Sequence, residues 1–493
     1  MIIGGLDVGT TGAKIVLYNE NGNLLDTYYT EYDVAHQNGQ HEIDFRDVKD
    51  GVFTLLKQAV ADYKIDAIGV TSFGETFALL DENDNVLTPS MLYTDPRGEQ
   101  ECEALKAAIG EEKLTLLTGV KPHPMYSIAK MMWHKAHTPA FKDCRRILLG
   151  EDFIVYTLTG VAQIDYSLAA RTAAFDIEKK CWIDDVLQAA GIDPALLATP
   201  VPAGTVAGTV TQAVKDALGI AYDITVVNGC HDQVAGMLGA GVFAPSQAMD
   251  GTGTVECIPV ILEKKPTDTA FYEGGYSVVP FTDDTYACYA LSFTGGATLK
   301  WFRDTFAADE RAAAEAAGKN VYAVLDSKVP AGPTGLLVLP HFAGAATPYM
   351  DNDAKAAFVG VTLETTKYDL YKALMEGTSF EMLLNFNTLS AALTAPITEI
   401  RATGGGATSD VWLQIKADIL DTAITALSCK EVGAAGTAAL AGVAVGAFTT
   451  VKDAVTKIVT VRTVFTPTAK YTDLYKKLYK RYTLLYNAVK GLR

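Results

Sequence analysis

A chain of 493 residues with a formal net charge of −17 is long enough for two large domains and too acidic to suit a nucleic-acid backbone. Apolar residues at 49% and charged residues at 20% belong to a globular enzyme rather than a disordered chain. Seven scattered cysteines without a C-x-x-C pair exclude a disulfide frame or a zinc site; with no basic-then-apolar leader and no membrane-length apolar run, the expected location is the cytoplasm.

Two apolar runs, Met1–Ile3 and Ile15–Tyr18, flank "LDVGTTGAK" (6–14) at the start of the chain. With turn residues at 19–23 they predict a β-hairpin and a third strand near 24–32. Residues 47–62 have helical spacing, 65–73 read as a buried strand, 76–87 as a second hairpin with a polar tip, and 99–150 as mainly helical. A helix at 213–220 leads into a strand at 223–230. "AMDGTGTVECIPVI" (248–261) then repeats the opening design of apolar lead-in, Gly- and Thr-lined turn and second strand. The repeat predicts two halves of related architecture with a boundary near 246. Beyond it come a surface helix at 308–319, a long amphipathic helix at 367–393, a strand at 397–406 entering a glycine turn, a helix at 409–420 and a last helix near 470–489. The Ala-rich stretch 433–447 is broken by glycines and too short to span a bilayer.

Three glycine-rich turns, 7–12, 250–254 and 403–408, each leave a predicted strand. One alone reads as a tight turn. Three together suit a polyphosphate clasped between two halves, because turn N–H groups bind anions without net positive charge. The hydroxyls of Thr10, Thr11, Thr252 and Thr254 add donors. The clasp is not a P-loop, since G-x-x-x-x-G-K-[ST] is absent. Asp7 would repel a bare phosphate; it fits either a hard cation between the two or a turn cap. Asp232, in "NGCHDQVAG" (228–236), stands where a strand gives way to a small-residue helix, as a helix cap or as a base aimed into a cleft. His231 beside it orients substrate or is structural. Glu75, Thr76, Asp95 and Arg97 suit the hydroxyls of a polyol or sugar, or else form a solvated loop with a surface Asp95–Arg97 pair.

At this point the residues resemble the FGGY carbohydrate kinases, of the sugar kinase, actin and heat-shock-protein ATPase superfamily. "MYSIAKMMW" (125–133) is similar to the family's N-terminal signature through Ser127, Lys130 and Trp133. "AAFVGVTLETTKYDLYKALME" (356–376) is similar to its C-terminal signature through Gly360, Asp369, Ala373 and Glu376. The resemblance covers essentially the whole chain. It implies an α/β fold of two ribonuclease-H-like (actin-like ATPase) domains, 1–246 and 247–493, flanking a deep cleft, with sugar mainly on the first and ATP mainly on the second. It implies ATP and Mg2+ as cofactors, Asp232 as catalytic base, and Asp7 with Asp232 toward the metal. For ATP it implies Thr10, Thr11 and Lys14, then Gly251, Thr252, Gly253 and Thr254, then Gly295, Gly296 and Lys300, with Gly404, Gly405 and Ser409 around adenosine. For the sugar it implies Glu75, Thr76, Asp95, Met125, Tyr126, His231 and Gln233. Gly74-Glu75-Thr76 departs from the Arg-Glu-Thr of glycerol kinases and the Met-His-Gly of xylulokinases. With "LYTD" and "CHDQ" it looks more like rhamnulokinases and fuculokinases. The expected acceptor is a ketose, a pentulose or deoxyhexulose. The alternatives are a polyol or aldonate such as erythritol or gluconate and, from another class, an actin-like ATPase switch without sugar. Family members are commonly homodimers; the other partners expected are the sugar and ATP, with neither nucleic acid nor membrane.

Overall fold

The computed structural model describes residues 1–37 and 39–492. The first sheet combines Ile2–Val8 (β1), Gly12–Asn19 (β2), Leu24–Glu31 (β3), Ala67–Ser72 (β4), Val206–Thr209 (β5) and Thr225–His231 (β6), in the order β5-β6-β4-β1-β2-β3. β1, β4 and β6 run parallel, and the hairpin strands β2 and β3 run antiparallel. β4 is buried at every residue, which explains why it reads as an unbroken apolar and small-residue run rather than an alternating one.

The second sheet combines Gln247–Thr252 (β7), Glu256–Leu262 (β8), Ser277–Pro280 (β9), Tyr286–Ser292 (β10), Glu399–Thr403 (β11), Ala423–Leu427 (β12) and Val461–Phe465 (β13), in the order β9-β10-β8-β7-β11-β12-β13. Again the first strand of a hairpin lies at the centre, and β7, β11 and β12 run parallel. The paths β3-β2-β1-β4-β6 and β10-β8-β7-β11-β12 follow one plan, so the repeat read in the sequence is a repeat of topology.

Helices cover both sheets. Phe45–Asp62 (α1) buries Phe45, Val48, Val52, Leu55, Leu56 and Ala59 at helical spacing, and the Asp44 carboxylate caps it by accepting from the Arg46 N–H. Ser127–His137 (α2), Asp232–Ala240 (α3), Lys367–Leu389 (α4), Asp410–Leu420 (α5) and Val432–Ala444 (α6) concern the site. α6 is the Ala-rich stretch. It lies between β12 and β13 of the second sheet in sequence, yet packs on the first sheet and on α3. The approach is backbone to backbone. A Cβ on Gly5 would stand 1.8 Å from the Ala434 carbonyl oxygen, and one on Gly239 1.8 Å from that of Val432. One on Gly436 would stand 2.1 Å from the carbonyl oxygen of Ala235.

One expectation is refined and two need correction. The strand at Phe77–Leu80 takes Arg146–Leu149 as its ladder partner; the predicted hairpin is a short one, with an antiparallel bridge between Leu80 and Val86 and the Leu87 N–H donating to the Leu79 carbonyl at 2.9 Å. α4 is buried around most of its circumference instead of being amphipathic. Its polar residues have partners inside: Tyr475 donates to Glu376 at 2.8 Å and His341 Nε2 lies 3.1 Å from Glu381. The last helix breaks into Ala469–Tyr482 and Leu485–Lys490.

The glycine contacts predict that Gly239→Ala destabilises the protein by ~1–3 kcal/mol or more, the usual cost of forcing atoms into a filled core. Chemical denaturation checks this; an unchanged midpoint would show that α3 and α6 separate at little cost.

Candidate active site

Three parallel strands end at one edge of the first sheet, and each delivers a carboxylate there. Asp7 is the penultimate residue of β1, Glu75 follows β4, and Asp232 begins α3 directly after β6. Carboxyl ends of parallel strands are where α/β sheets place ligands. Burial raises Asp232 to about 7, with the charges of Asp7 and Glu75 adding to the shift. Burial raises Asp7 to about 6 against the pull of Lys14. Asp232 keeps a third of its side chain exposed (34%), while its Oδ1 is buried and lacks a hydrogen-bond partner. His231 Nε2 lies 3.2 Å from that oxygen without hydrogen-bond geometry.

A cation that the sequence did not single out answers these acids. Arg171 donates from Nε to Glu75 at 2.7 Å and pairs with it again through Nη2. Its guanidinium lies 5.1 Å from the Tyr126 ring centroid, and its Nη1 is buried without a partner. Burial raises the Glu75 carboxyl, and Arg171 opposes that rise. The one signal available was a lone charge inside the uncharged run 166–175. Arg171 also explains Gly74: a Cβ there would sit 3.0 Å from His231 Nε2 and 3.2 Å from Arg171 Cγ. Glu75 itself adopts φ 66°. Such left-handed backbone is uncommon outside glycine and concentrates at functional sites.

The expected sugar residues differ in burial and in partners. Asp95 corrects the surface-pair alternative. Its carboxylate accepts from Arg97 Nε and Nη2 at 2.8 Å each and from the His41 N–H at 2.8 Å. Burial alone would raise its pKa, but these bonds outweigh it and hold the carboxyl down at about 2. The pair is therefore a buried one and not a surface pair; Asp95 has 0% side-chain exposure. Thr76 is wholly buried, and its hydroxyl lacks a partner. His231 is buried between Gly74 and Tyr289, whose hydroxyl lies 3.4 Å from Nδ1. Tyr126 is buried against Arg171 and 3.1 Å from Ser277 Oγ, whereas Met125 and Gln233 are half-buried. The signature residues of α2 act on backbone: Ser127 Oγ donates to the Glu75 carbonyl at 2.6 Å, and Lys130 Nζ to the Asp95 carbonyl at 2.8 Å.

On the second sheet a cavity of about 240 Å³ lies among the predicted nucleotide turns. Gly253, Thr254, Gly296, Lys300, Gly405 and Ser409 line it. So do Leu299, Tyr322 and Trp412, which the sequence reading missed. Two expectations change. The N–H groups of Gly253, Gly295 and Gly296 are bonded within the protein, to the carbonyls of Val255 (2.9 Å), Thr254 (2.9 Å) and Gly253 (2.8 Å), so they are not free anion donors. The Thr252 hydroxyl turns inward, donating to Asp250 Oδ1 at 2.6 Å. The glycines instead keep the wall bare: a Cβ on Gly405 meets nothing within 4 Å, whereas one on Gly404 would meet the Thr252 carbonyl at 2.6 Å. Gly251 lies in β7 ahead of the turn. Ser409 caps α5, accepting from the Trp412 N–H at 3.1 Å while donating to Asp326 at 2.7 Å. On the first turn Thr10 is half-buried and Thr11 exposed. Lys14 donates to Glu431 at 2.6 Å.

For a divalent cation, Asp7 and Asp232 are the candidate ligands. Among the described residues no three His, Cys, Asp or Glu side chains converge into a cage. A site of one or two carboxylates completed by phosphate oxygens and water is the usual Mg2+ arrangement, and the unpartnered Asp232 Oδ1 fits it.

The family models for the N-terminal and C-terminal domains of the FGGY family of carbohydrate kinases match residues 2–239 and 251–445. The chain is 28% identical to a xylulose kinase of Staphylococcus xylosus, over 98% of this chain and 99% of that one. It is 29% identical to a gluconokinase of Bacillus subtilis, over 90% and 87%. A solved xylulose kinase from Rhodospirillum rubrum superposes with a TM-score of 0.88 at 26% identity, covering 100% of this chain and 99% of that one.

The Glu75–Arg171 pair yields a prediction. Arg171→Leu strands Glu75 as a buried, unpaired acid and destabilises the protein by ~3–5 kcal/mol. Arg171→Leu with Glu75→Gln should recover most of that loss. Denaturant titration of both variants decides, and equal midpoints would remove the pair from the account.

Proposed function

Because the chain belongs to the FGGY family of carbohydrate kinases, we propose that it carries the γ-phosphate of ATP to a hydroxyl of a ketose held at the edge of the first sheet, with Asp232 accepting that hydroxyl's proton. Family members use ATP, typically with a divalent metal. The observation that carries the reading of the base is Asp232 itself. It stands at a strand's carboxyl end, part-exposed to the cleft, with its carboxyl raised to about 7, near the pH at which a base is poised.

Glu75, fixed by Arg171, accepts from sugar hydroxyls, and Gln233 on the first turn of α3 adds a second contact. Adenosine occupies the cavity of Leu299, Tyr322 and Trp412. The Thr10, Thr11 and Thr254 hydroxyls face the phosphates. Asp7 and Asp232 would hold Mg2+, which when bound would neutralise phosphate charge. Transfer of a phosphoryl group leaves little covalent work to the protein, so alignment and charge stabilisation supply most of the rate. In a loose transition state the proton leaves late, and Asp232 acts by lying within hydrogen-bond reach.

A ketose is favoured over an aldonate on charge. Asp7, Glu75 and Asp232 face the cleft, and Glu75 already pairs with Arg171. A substrate carboxylate would meet excess negative charge. A polyol shares the Glu75–Arg171 anchor with a ketose, because an arginine stands beside Glu75 although residue 74 is glycine. The curated relatives include both xylulose kinase and gluconokinase. The seven free cysteines suit a cytoplasmic enzyme, and among the described residues no helix is long and apolar enough to cross a membrane.

Coupled ADP release with Mg-ATP is the test, across D- and L-xylulose, L-ribulose, L-rhamnulose, L-fuculose, D-fructose, erythritol, glycerol and gluconate. One ketose should stimulate strongly; stimulation by gluconate alone would replace the ketose. Asp232→Asn should keep nucleotide binding and lose ~10²–10⁴-fold in turnover, the range for a general base. Wild-type turnover in that variant would take Asp232 out of the chemistry. Asp7→Ala should raise the Mg2+ concentration for half-maximal activity, and an unchanged titration would leave Asp7 a turn cap.

A further inference from the structure

Behind the second glycine turn lies an ion cluster outside the cavity. Lys416, on α5, is 1% exposed. Its ammonium donates to the Asp250 carboxylate, to Thr252 Oγ1 at 2.7 Å and to Glu256 Oε1 at 2.7 Å. All three donor positions of the ammonium are used. Asp250 and Thr252 lie at the end of β7 and Glu256 begins β8, so the acceptors straddle the turn Gly253-Thr254-Val255. The same helix carries Trp412, which lines the cavity and lies 4.8 Å from the Lys416 ammonium. Two carboxylates facing one ammonium leave one negative charge in excess. Burial pushes the Glu256 carboxyl up to about 7 against the pull of Lys416, and Glu256 Oε2 has no partner.

Apolar side chains of similar volume commonly serve a core as well as a buried ion cluster, or better. What an apolar core cannot supply is a directional tie between two separate elements. Here one tie joins both arms of the phosphate-side turn to the helix forming the cavity wall. We propose that Lys416 is a positioning residue for the nucleotide, holding the Gly253-Thr254 turn at a fixed distance from the Trp412 wall without touching the ligand. This deepens the reading that the cavity takes ATP, and rests on it. The inward turn of the Thr252 hydroxyl belongs to the same device: the hydroxyl sets the turn's position instead of binding phosphate.

ADP binding by calorimetry and steady-state kinetics for ATP and sugar are measured on Lys416→Met and on Lys416→Met with Asp250→Asn. The double variant removes the cluster's positive charge and one negative charge together, and carries the test if the single variant does not fold. ADP affinity should fall about tenfold or more, a change of about 1.4 kcal/mol. KM for ATP should rise by the same factor while KM for the sugar stays within about twofold. A folded variant that binds ADP like wild type overturns the proposal. Gly405→Leu, which plugs the cavity from a position with open space, separates the two claims. If it abolishes ADP binding while Lys416→Met does not alter it, the positioning role alone falls. If it leaves ADP binding intact, the cavity is not the nucleotide site and both readings fall.

Discussion

Close backbone contact between α6 and the first sheet is the constraint on which the rest depends. Gly5 lets the centre of β1 meet the helix, and Gly239 and Gly436 let α3 and α6 cross with almost no side chain between them. Asp232 opens α3, and Glu431 immediately precedes α6 and pairs with Lys14 beside Asp7. The cleft carboxylates are thus mounted on elements that cannot move apart without opening a core lacking side chains to refill it. Small residues here serve proximity: they add little apolar area, but they let the elements that carry the acids meet backbone to backbone.

That rigidity makes the electrostatics of the cleft tolerable. Asp7, Glu75 and Asp232 would repel one another in a soft site, and relaxation would separate them. Held in place, Asp7 and Glu75 add to burial in raising the proton affinity of Asp232, and only Glu75 receives a full counter-charge, from Arg171. The remaining imbalance suits a cation-assisted reaction on a neutral acceptor. The second sheet solves the opposite problem. Its cavity is lined mostly by aromatic and small residues, with Lys300 as the one charged side chain in that lining, and the Lys416 cluster lies behind the turn. An acidic protein can therefore receive a polyphosphate without a basic surface.

The parts of this arrangement legible in the sequence are those encoded locally. Apolar runs interrupted by Gly and Thr marked β1, β2, β7 and β8, and the repeat of that pattern anticipated the shared topology of the sheets. Asp232 was legible because a strand-to-helix junction is a local event. Partner choice was not. Arg171 and Glu75 lie 96 residues apart, and Lys416 and Asp250 lie 166 apart. No spacing rule links such pairs. Asp95 shows both cases: its partner Arg97 is two residues away and was read from the sequence, whereas the His41 N–H that helps bury the pair lies 54 residues away. The Thr252 hydroxyl looked like a phosphate donor because a turn's sequence does not say which way its side chains face. The length of the Ala-rich stretch argued against a membrane span, but its neighbours on β1 and α3 appear only once the chain is folded.

A crystal structure with a non-hydrolysable ATP analogue and the sugar that best stimulates ADP release tests the central claim most directly. The account predicts adenine between Leu299, Tyr322 and Trp412, the terminal phosphate between residues 10–11 and 254, and one sugar hydroxyl at about 2.6–3.2 Å from Asp232, the reach of a general base. A sugar bound with its phosphate-facing hydroxyl against Glu75, and Asp232 out of reach of every substrate oxygen, would contradict it.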